Sequence, residues 1–232
     1  MSSPGFTIIA ERPGFLVVDK EPGLDFHACG LAPGLCRLVA EAGGAPVWPV
    51  HRLDKETSGL LILATNKPTA AGLAELFRTG GMEKYYVALS DMPPRKKQGL
   101  IQGDMVRSRR GTWKLCRSLE KPARTRFSSR HVAPGLRLYV LRPLTGRTHQ
   151  LRVALKSVSA PILGDRLYHP QVQNWPDRMY LHAHTLRFRL NDATHVFRCP
   201  PRTGEYFRRD DVTATLAGLG RLEEMSGPDG QD

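Results

Sequence analysis

Acidic residues are scarce in this chain. Across 232 residues, 22 Asp and Glu face 34 Lys and Arg, which leaves a formal charge of +12 and a pI near 10.0. Such an excess draws in polyanions, nucleic acid first among them. Cysteine is scarce too. Cys29, Cys36, Cys116 and Cys199 show no CxxC spacing and no histidines at zinc-finger distances. Reduced thiols are therefore expected, with neither a disulfide framework nor a metal site. No apolar run approaches the roughly 18 residues of a membrane span, and "MSSPGFTIIAERPG" has neither the basic start nor the apolar centre of a signal peptide. A cytoplasmic protein without membrane contact is expected. There is no internal repeat, low-complexity segment or clear linker, so the expected organisation is one domain over 1–224 with a disordered tail at 225–232.

What is present is a normal share of core-forming residues, 41% hydrophobic, and a concentrated basic stretch. Between Arg95 and Arg130 stand twelve basic residues (Arg95, Lys96, Lys97, Arg107, Arg109, Arg110, Lys114, Arg117, Lys121, Arg124, Arg126, Arg130) against Asp104 and Glu120. One helix face cannot account for a bias that long. A phosphate-contacting excursion over about 95–130 is expected, with Arg107, Arg109 and Arg110 in the RNA-binding set.

Short apolar, β-branched runs predict a hairpin from Phe6–Ala10 and Phe15–Val18, a strand buried on both faces at Leu60–Ala64, and a strand at Lys84–Ser90. Further strands are expected at Gly111–Arg117, Ala123–Ser128, Leu136–Leu141, Met179–Leu190 and His195–Cys199. Helices are expected over "TAAGLAELF" with Thr69 as N-cap and from Gly146 or Arg147 with Leu151, Leu155 and Val158 inward. A last helix would be capped by Asp210 or Asp211 and carry Val212, Leu216, Leu219 and Leu222. Many strands with few helices predict an α+β fold on a largely antiparallel mixed sheet.

The candidate chemistry lies at the mouths of these elements. In "PVHRLDKETSGLLILA", Asp54 sits among cations just before the buried strand, which suits an ionised nucleophile; a turn cap is the alternative. In "LTGRTHQLR", Gly146 would permit close backbone approach. Arg147 offers a planar fork that can hold a carboxylate, or else a surface or phosphate contact. In "KYYVA", Tyr85 and Tyr86 face opposite sides of a strand, so one is core and the other is available to a site.

Taken in order, "FLVVDKEPG", "HRLDKETSGLLILA", "KYYVA", "LTGRTHQLR", "APILGDRLY" and "MYLHAHTLRF" resemble the blocks of the RluA-type pseudouridine synthases, from about Phe15 to Phe188. The resemblance implies that Asp54 is the nucleophile and that Tyr86 packs on the target base and assists proton removal from C5. It implies that Arg147 salt-bridges the carboxylate and that Arg52 occupies the gap left by the extruded uridine. Tyr85 then becomes the packing residue. His51, Lys84 and His149, within the same motifs, join the RNA-binding set. The implied reaction breaks the N1 to C1′ bond of a uridine and joins C5 to C1′, with no atom lost and no redox change, so no metal or cofactor is implied. The implied partner is ribosomal or transfer RNA, bound by a monomer.

Three departures stand out. The chain reads "DKEPG" where relatives carry N-K-P-x-G, and it has Ala154 where a histidine is common. A small N-terminal S4 module is also expected to be missing, so RNA recognition is expected from the catalytic domain, by shape and phosphate contacts. Two other classes compete. One is an inactive RNA-binding or ribosome-assembly protein on the same fold. The other is a glycosidase, which needs a second carboxyl group that only Glu56 could offer near Asp54.

Overall fold

A computed structural model describes residues 5–26, 33–170 and 175–224; the expected tail at 225–232 and Cys29 lie outside the described residues. In chain order the elements are β1 (Phe6–Arg12), β2 (Phe15–Lys20), α1 (Leu35–Gly43), β3 (Trp48–Pro49), β4 (Ser58–Ala64), α2 (Lys67–Thr79) and β5 (Glu83–Ser90). There follow β6 (Gln98–Gly103), β7 (Met105–Arg107), β8 (Trp113–Leu115), β9 (Ala123–Ala133), β10 (Leu136–Pro143), α3 (Gln150–Ser157), β11 (Leu181–Leu190), β12 (Ala193–Arg198) and α4 (Asp210–Ala217). Strands with flanking helices make this an α+β fold on a mixed sheet. Two compact units share the chain, one of residues 1–84 with 182–201, the other of 85–181 with 202–232.

In the first unit, β2 lies antiparallel between β1 and β4, β3 pairs with β4, and β12 with β11. The parallel pairing here joins β4 to β11, through Ser58 with His182 and Gly59 with Ala183. Gly59 has φ +108, and a Cβ there would sit 2.3 Å from the Ala183 carbonyl oxygen, so glycine is required by both conformation and space. All seven residues of β4 are buried, as its unbroken apolar run predicts. Leu60 and Ile62 enter a core with Phe15, Val17, Leu73, Leu186, Phe188 and Phe197. Each large side chain buried there contributes about 2 kcal/mol.

In the second unit, β10 lies antiparallel between β5 and β9, and β6 covers the far side of β9. Helices α3 and α4 both pack on β9 and β10. β7 and β8 form a separate two-stranded hairpin.

Several local expectations are corrected. The basic stretch is not one excursion. β6 and β9 belong to the sheet, and only the hairpin between 105 and 115 stands apart. On β9, exposure alternates so that Arg124 and Arg130 are exposed while Ala123, Thr125 and Phe127 are buried. The strand expected at Gly111–Arg117 shrinks to Trp113–Leu115, because residues 109–111 form a tight turn with Arg110 at φ 54. Helix α2 is capped by Asn66, whose side chain accepts the Thr69 N–H at 2.9 Å; Thr69 lies inside the helix. Helix α3 starts at Gln150, because His149 before it is left-handed, φ 57. Helix α4 follows Arg209 with no side-chain cap, and Leu219 and Leu222 lie past its end. Among the described residues, no helix is long and apolar enough to cross a membrane.

Candidate active site

The turn that carries Asp54 is held by its main chain. Residues 51–54 are irregular, with Arg52 exposed, Leu53 buried and Asp54 half-buried, and the Asp54 carbonyl accepts the Thr57 N–H at 3.0 Å. The next carbonyl, of Lys55, accepts twice: from the Gly23 N–H at 2.9 Å and from the Lys20 ammonium at 2.8 Å. Lys20, the last residue of β2, is completely buried, and its Nζ also donates to the carbonyls of Glu21 and Leu24, both at 2.9 Å. Three acceptors thus meet the three donors of one buried ammonium, the condition under which burying such a charge is tolerable. The Lys55 side chain bridges to Asp25 at 2.8 Å. The loop after β2 therefore clamps the turn ahead of β4 from two directions.

His51 props the same turn from below. Its Nε2 accepts the Ile62 N–H of β4 at 3.0 Å, and its ring stacks on Phe77 of α2 at 4.4 Å. Lys84 lies 5.5 Å from the centre of the same Phe77 ring. Burial, with the Lys84 charge adding, pushes the His51 imidazole down to about 3; burial also lowers Lys84. The imidazole is neutral at ordinary pH, with its acceptor lone pair given to the backbone.

One grouping of potential metal ligands occurs among the described residues of this unit: Asp19, His182 and Cys199, with ligand atoms within 4.8 Å of one another. His182 shares a 2.8 Å hydrogen bond with Ser58 through Nδ1 and a 2.7 Å one with the Cys199 carbonyl through Nε2. With both ring nitrogens so engaged, the imidazole ties β11 to β4 and to the chain after β12.

The second unit carries Tyr86, Arg147 and His149. Tyr85 and Tyr86 are both buried, at 4% and 9% exposure, on opposite faces of β5. The Tyr85 ring takes the Arg142 guanidinium at 5.6 Å, and Tyr86 stands opposite Leu141 in the ladder. Arg147 is exposed, on a loop fixed by Gln150. The buried Gln150 amide oxygen accepts the Arg147 N–H at 3.0 Å and the Thr145 hydroxyl at 2.7 Å. Its nitrogen donates to the Arg124 carbonyl at 2.9 Å and to Thr125 Oγ1 at 3.0 Å. No described residue comes within 4 Å of where a Cβ at Gly146 would sit, so close approach of the chain to itself does not explain that glycine.

His149 Nδ1 shares a 2.9 Å hydrogen bond with the Tyr168 hydroxyl, which also accepts the Trp113 N–H of β8 at 2.8 Å. On the hairpin, Arg107 lies over the Trp113 ring at 5.6 Å, and Arg107, Arg109 and Arg110 are exposed. Behind α3, Arg152 and Asp165 form a buried bidentate pair, both contacts at 2.7 Å.

Of the expected site residues, His51, Arg52, Asp54 and Lys84 fall in the first unit, and Tyr86, Arg107, Arg109, Arg110, Arg147 and His149 in the second. Lys20 and Gln150, which fix the two loops, escape a reading for chemistry. Their signals are faint: Lys20 falls at a buried position two residues after buried Val18 of β2, and Gln150 directly follows the left-handed His149.

Comparison with known proteins defines the class. The family model for RNA pseudouridylate synthase matches residues 14–157. An "Uncharacterized RNA pseudouridine synthase" of Haemophilus influenzae is 47% identical over 207 residues, 88% of this chain and 92% of that one. The "Dual-specificity RNA pseudouridine synthase RluA" of Escherichia coli is 37% identical over 194 residues, 79% of this chain and 86% of the relative. Human RNA Pseudouridylate Synthase Domain Containing 1 shares the fold, with a TM-score of 0.77 at 23% identity over 99% of both chains. The chain belongs to the RNA pseudouridylate synthase family, as an RluA-type catalytic domain. It is thus an enzyme of RNA modification that isomerises uridine to pseudouridine.

Proposed function

We propose that Asp54 is the nucleophile for isomerising a uridine in ribosomal or transfer RNA. The observation that supports this most is the clamp on its turn: buried Lys20 and the Gly23 N–H both hold the Lys55 carbonyl, one residue from Asp54. Catalysis by positioning requires a carboxylate whose backbone cannot drift, and a satisfied buried ammonium supplies that rigidity. The N1 to C1′ bond breaks, the uracil turns, and C5 bonds to C1′. The C5 proton then leaves and N1 gains one, so the isomer has the same atoms as its substrate.

Extruding the target nucleotide costs a few kcal/mol. Arg52, exposed beside the turn, fills the vacated place in the stack. Tyr86 packs on the base and assists loss of the C5 proton, and Arg147 keeps the Asp54 carboxylate charged and oriented. Lys84, His149, Arg107, Arg109 and Arg110 serve the RNA, the exposed arginines by phosphate contact. His51, expected in the RNA-binding set, instead acts by propping β4, because its acceptor nitrogen is given to the Ile62 N–H and its ring to Phe77. A ribosomal or transfer RNA substrate puts this work in the cytoplasm.

The test is Asp54→Asn, assayed on total RNA from a strain lacking the gene. Pseudouridine formation is expected to vanish while RNA affinity stays within about twofold, because only a reacting group is changed. Residual turnover at the wild-type rate refutes the nucleophile. Identical pseudouridine maps with and without the gene would instead favour an RNA-binding protein on this fold.

A further inference from the structure

We propose that Tyr168 is a positioning residue whose hydroxyl couples the basic hairpin to the loop that carries Arg147, so that RNA held by the hairpin also sets the place of that arginine. This rests on the synthase reading above and adds a residue to which that reading gives no task.

Tyr168 is 3% exposed, and its ring meets two cations from α3, Arg152 at 5.0 Å and Lys156 at 5.4 Å. The turn that presents it is anchored by Asp165, whose Oδ1 accepts the Leu167 N–H at 3.0 Å while the carboxylate holds Arg152. With the ring immobilised, its Oη joins two segments distant in sequence. It accepts the Trp113 N–H of β8 and shares a bond with His149 Nδ1. Trp113 is the ladder partner of Arg107 and carries the Arg107 guanidinium on its ring. His149 is two residues after Arg147 and sits in the left-handed conformation that ends the loop and starts α3.

A weaker, electrostatic influence reaches the other side of the hairpin from the same loop. Asp104, directly before β7, accepts the N–H groups of Glu120 and Lys121, and its carboxyl is held below the ordinary range by the Ser118 hydroxyl first. The charge of Arg147 adds to the same lowering. The hydrogen bonds through Tyr168 carry the coupling, and the charge of Arg147 at Asp104 is a minor addition to it.

A hairpin that only gathered phosphates would need no such link. Ordering a flexible arm on RNA while leaving the catalytic loop loose would raise affinity without raising turnover, since only interactions realised in the transition state accelerate the chemical step. A shared hydroxyl makes seating of the RNA and placement of Arg147 one event.

The decisive variant is Tyr168→Phe, which keeps the ring and its cation contacts and removes only Oη. On total RNA from a strain lacking the gene, single-turnover pseudouridine formation should fall about tenfold, the scale of one buried hydrogen bond. RNA affinity and its salt dependence should change less than about twofold, because the arginines are untouched. His149→Asn cuts the same link from the other side, since asparagine tolerates the left-handed conformation but is too short to reach Tyr168. It should show the same fall in single-turnover rate at saturating RNA, and it carries the test if Tyr168→Phe does not fold. The double variant should be no slower than Tyr168→Phe alone, because the bond that His149→Asn removes is already gone there. Wild-type turnover in Tyr168→Phe, or losses that multiply in the double variant, overturns the proposal. Absence of pseudouridine with the wild-type enzyme overturns the synthase reading, and this one with it.

Discussion

The turn at Asp54 and the hairpin between 105 and 115 handle charge in opposite ways. Around Asp54 the deciding cation, Lys20, is fully buried and spends every donor on backbone carbonyls. On the hairpin the cations are exposed, and Arg107 rests on a tryptophan face. A buried, satisfied charge builds rigidity, because removing it strands several polar groups at once. An exposed charge builds reach, because it stays hydrated until a phosphate replaces the water. The same residue class thus serves geometry in one unit and, in the proposed reading, capture in the other.

That contrast can be broken by experiment. The largest effect is expected for Lys20→Met, which takes the ammonium from three carbonyls at a buried site, of which that of Lys55 keeps the Gly23 N–H. It should lower unfolding free energy by about 3 to 5 kcal/mol in urea titrations and abolish turnover along with it. A loss below about 1 kcal/mol would mean that the clamp is dispensable. Gln150→Leu should cost about 2 kcal/mol, with turnover reduced more than RNA affinity, since it frees the Arg147 loop and leaves the exposed arginines in place. Equal losses of both would deny Gln150 a role in placing Arg147.

Replacing Arg107, Arg109 and Arg110 together by Ala should leave stability within about 0.5 kcal/mol. It should also reduce the slope of log affinity against log salt by about two. An unchanged slope would remove the hairpin from the RNA surface. The smallest effect concerns His51. Its folded value, about 3, lies below the ordinary 6.5, so the unfolded chain takes up the proton first. Stability is therefore full above 6.5 and falls as pH drops from there toward 3, by about 1 kcal/mol at pH 5.5. His51→Asn should lack that part of the slope, and an identical slope in wild type and variant would show that His51 is not buried neutral.

Legibility from sequence followed local physics. Strand β4 and helix α2 were readable because an unbroken apolar run and a 3.6-residue stripe are local signals. Helix α1 was not. It spans nine residues between Gly34 and Gly44 with only Leu35 and Val39 buried, so its apolar stripe is one turn long. Strand β6 hid behind two glycines, with Ile101 and Gly103 its only buried positions. At the site, Asp54 and Arg147 were conspicuous because their motifs concentrate reactive residue types. The groups that hold them were not, since the value of Lys20 depends on the carbonyl of Lys55, 35 residues away, and that of Gln150 on Arg124 and Thr125. Partners so distant leave no trace in spacing.

The clamp on Lys55 acts through a carbonyl oxygen, and this has a practical use. A hold on the main chain is indifferent to what the neighbouring side chain is, and Glu56, the next residue, is exposed. A cysteine placed at 56 could therefore carry a fluorophore two residues from Asp54, giving a direct optical record of when RNA arrives.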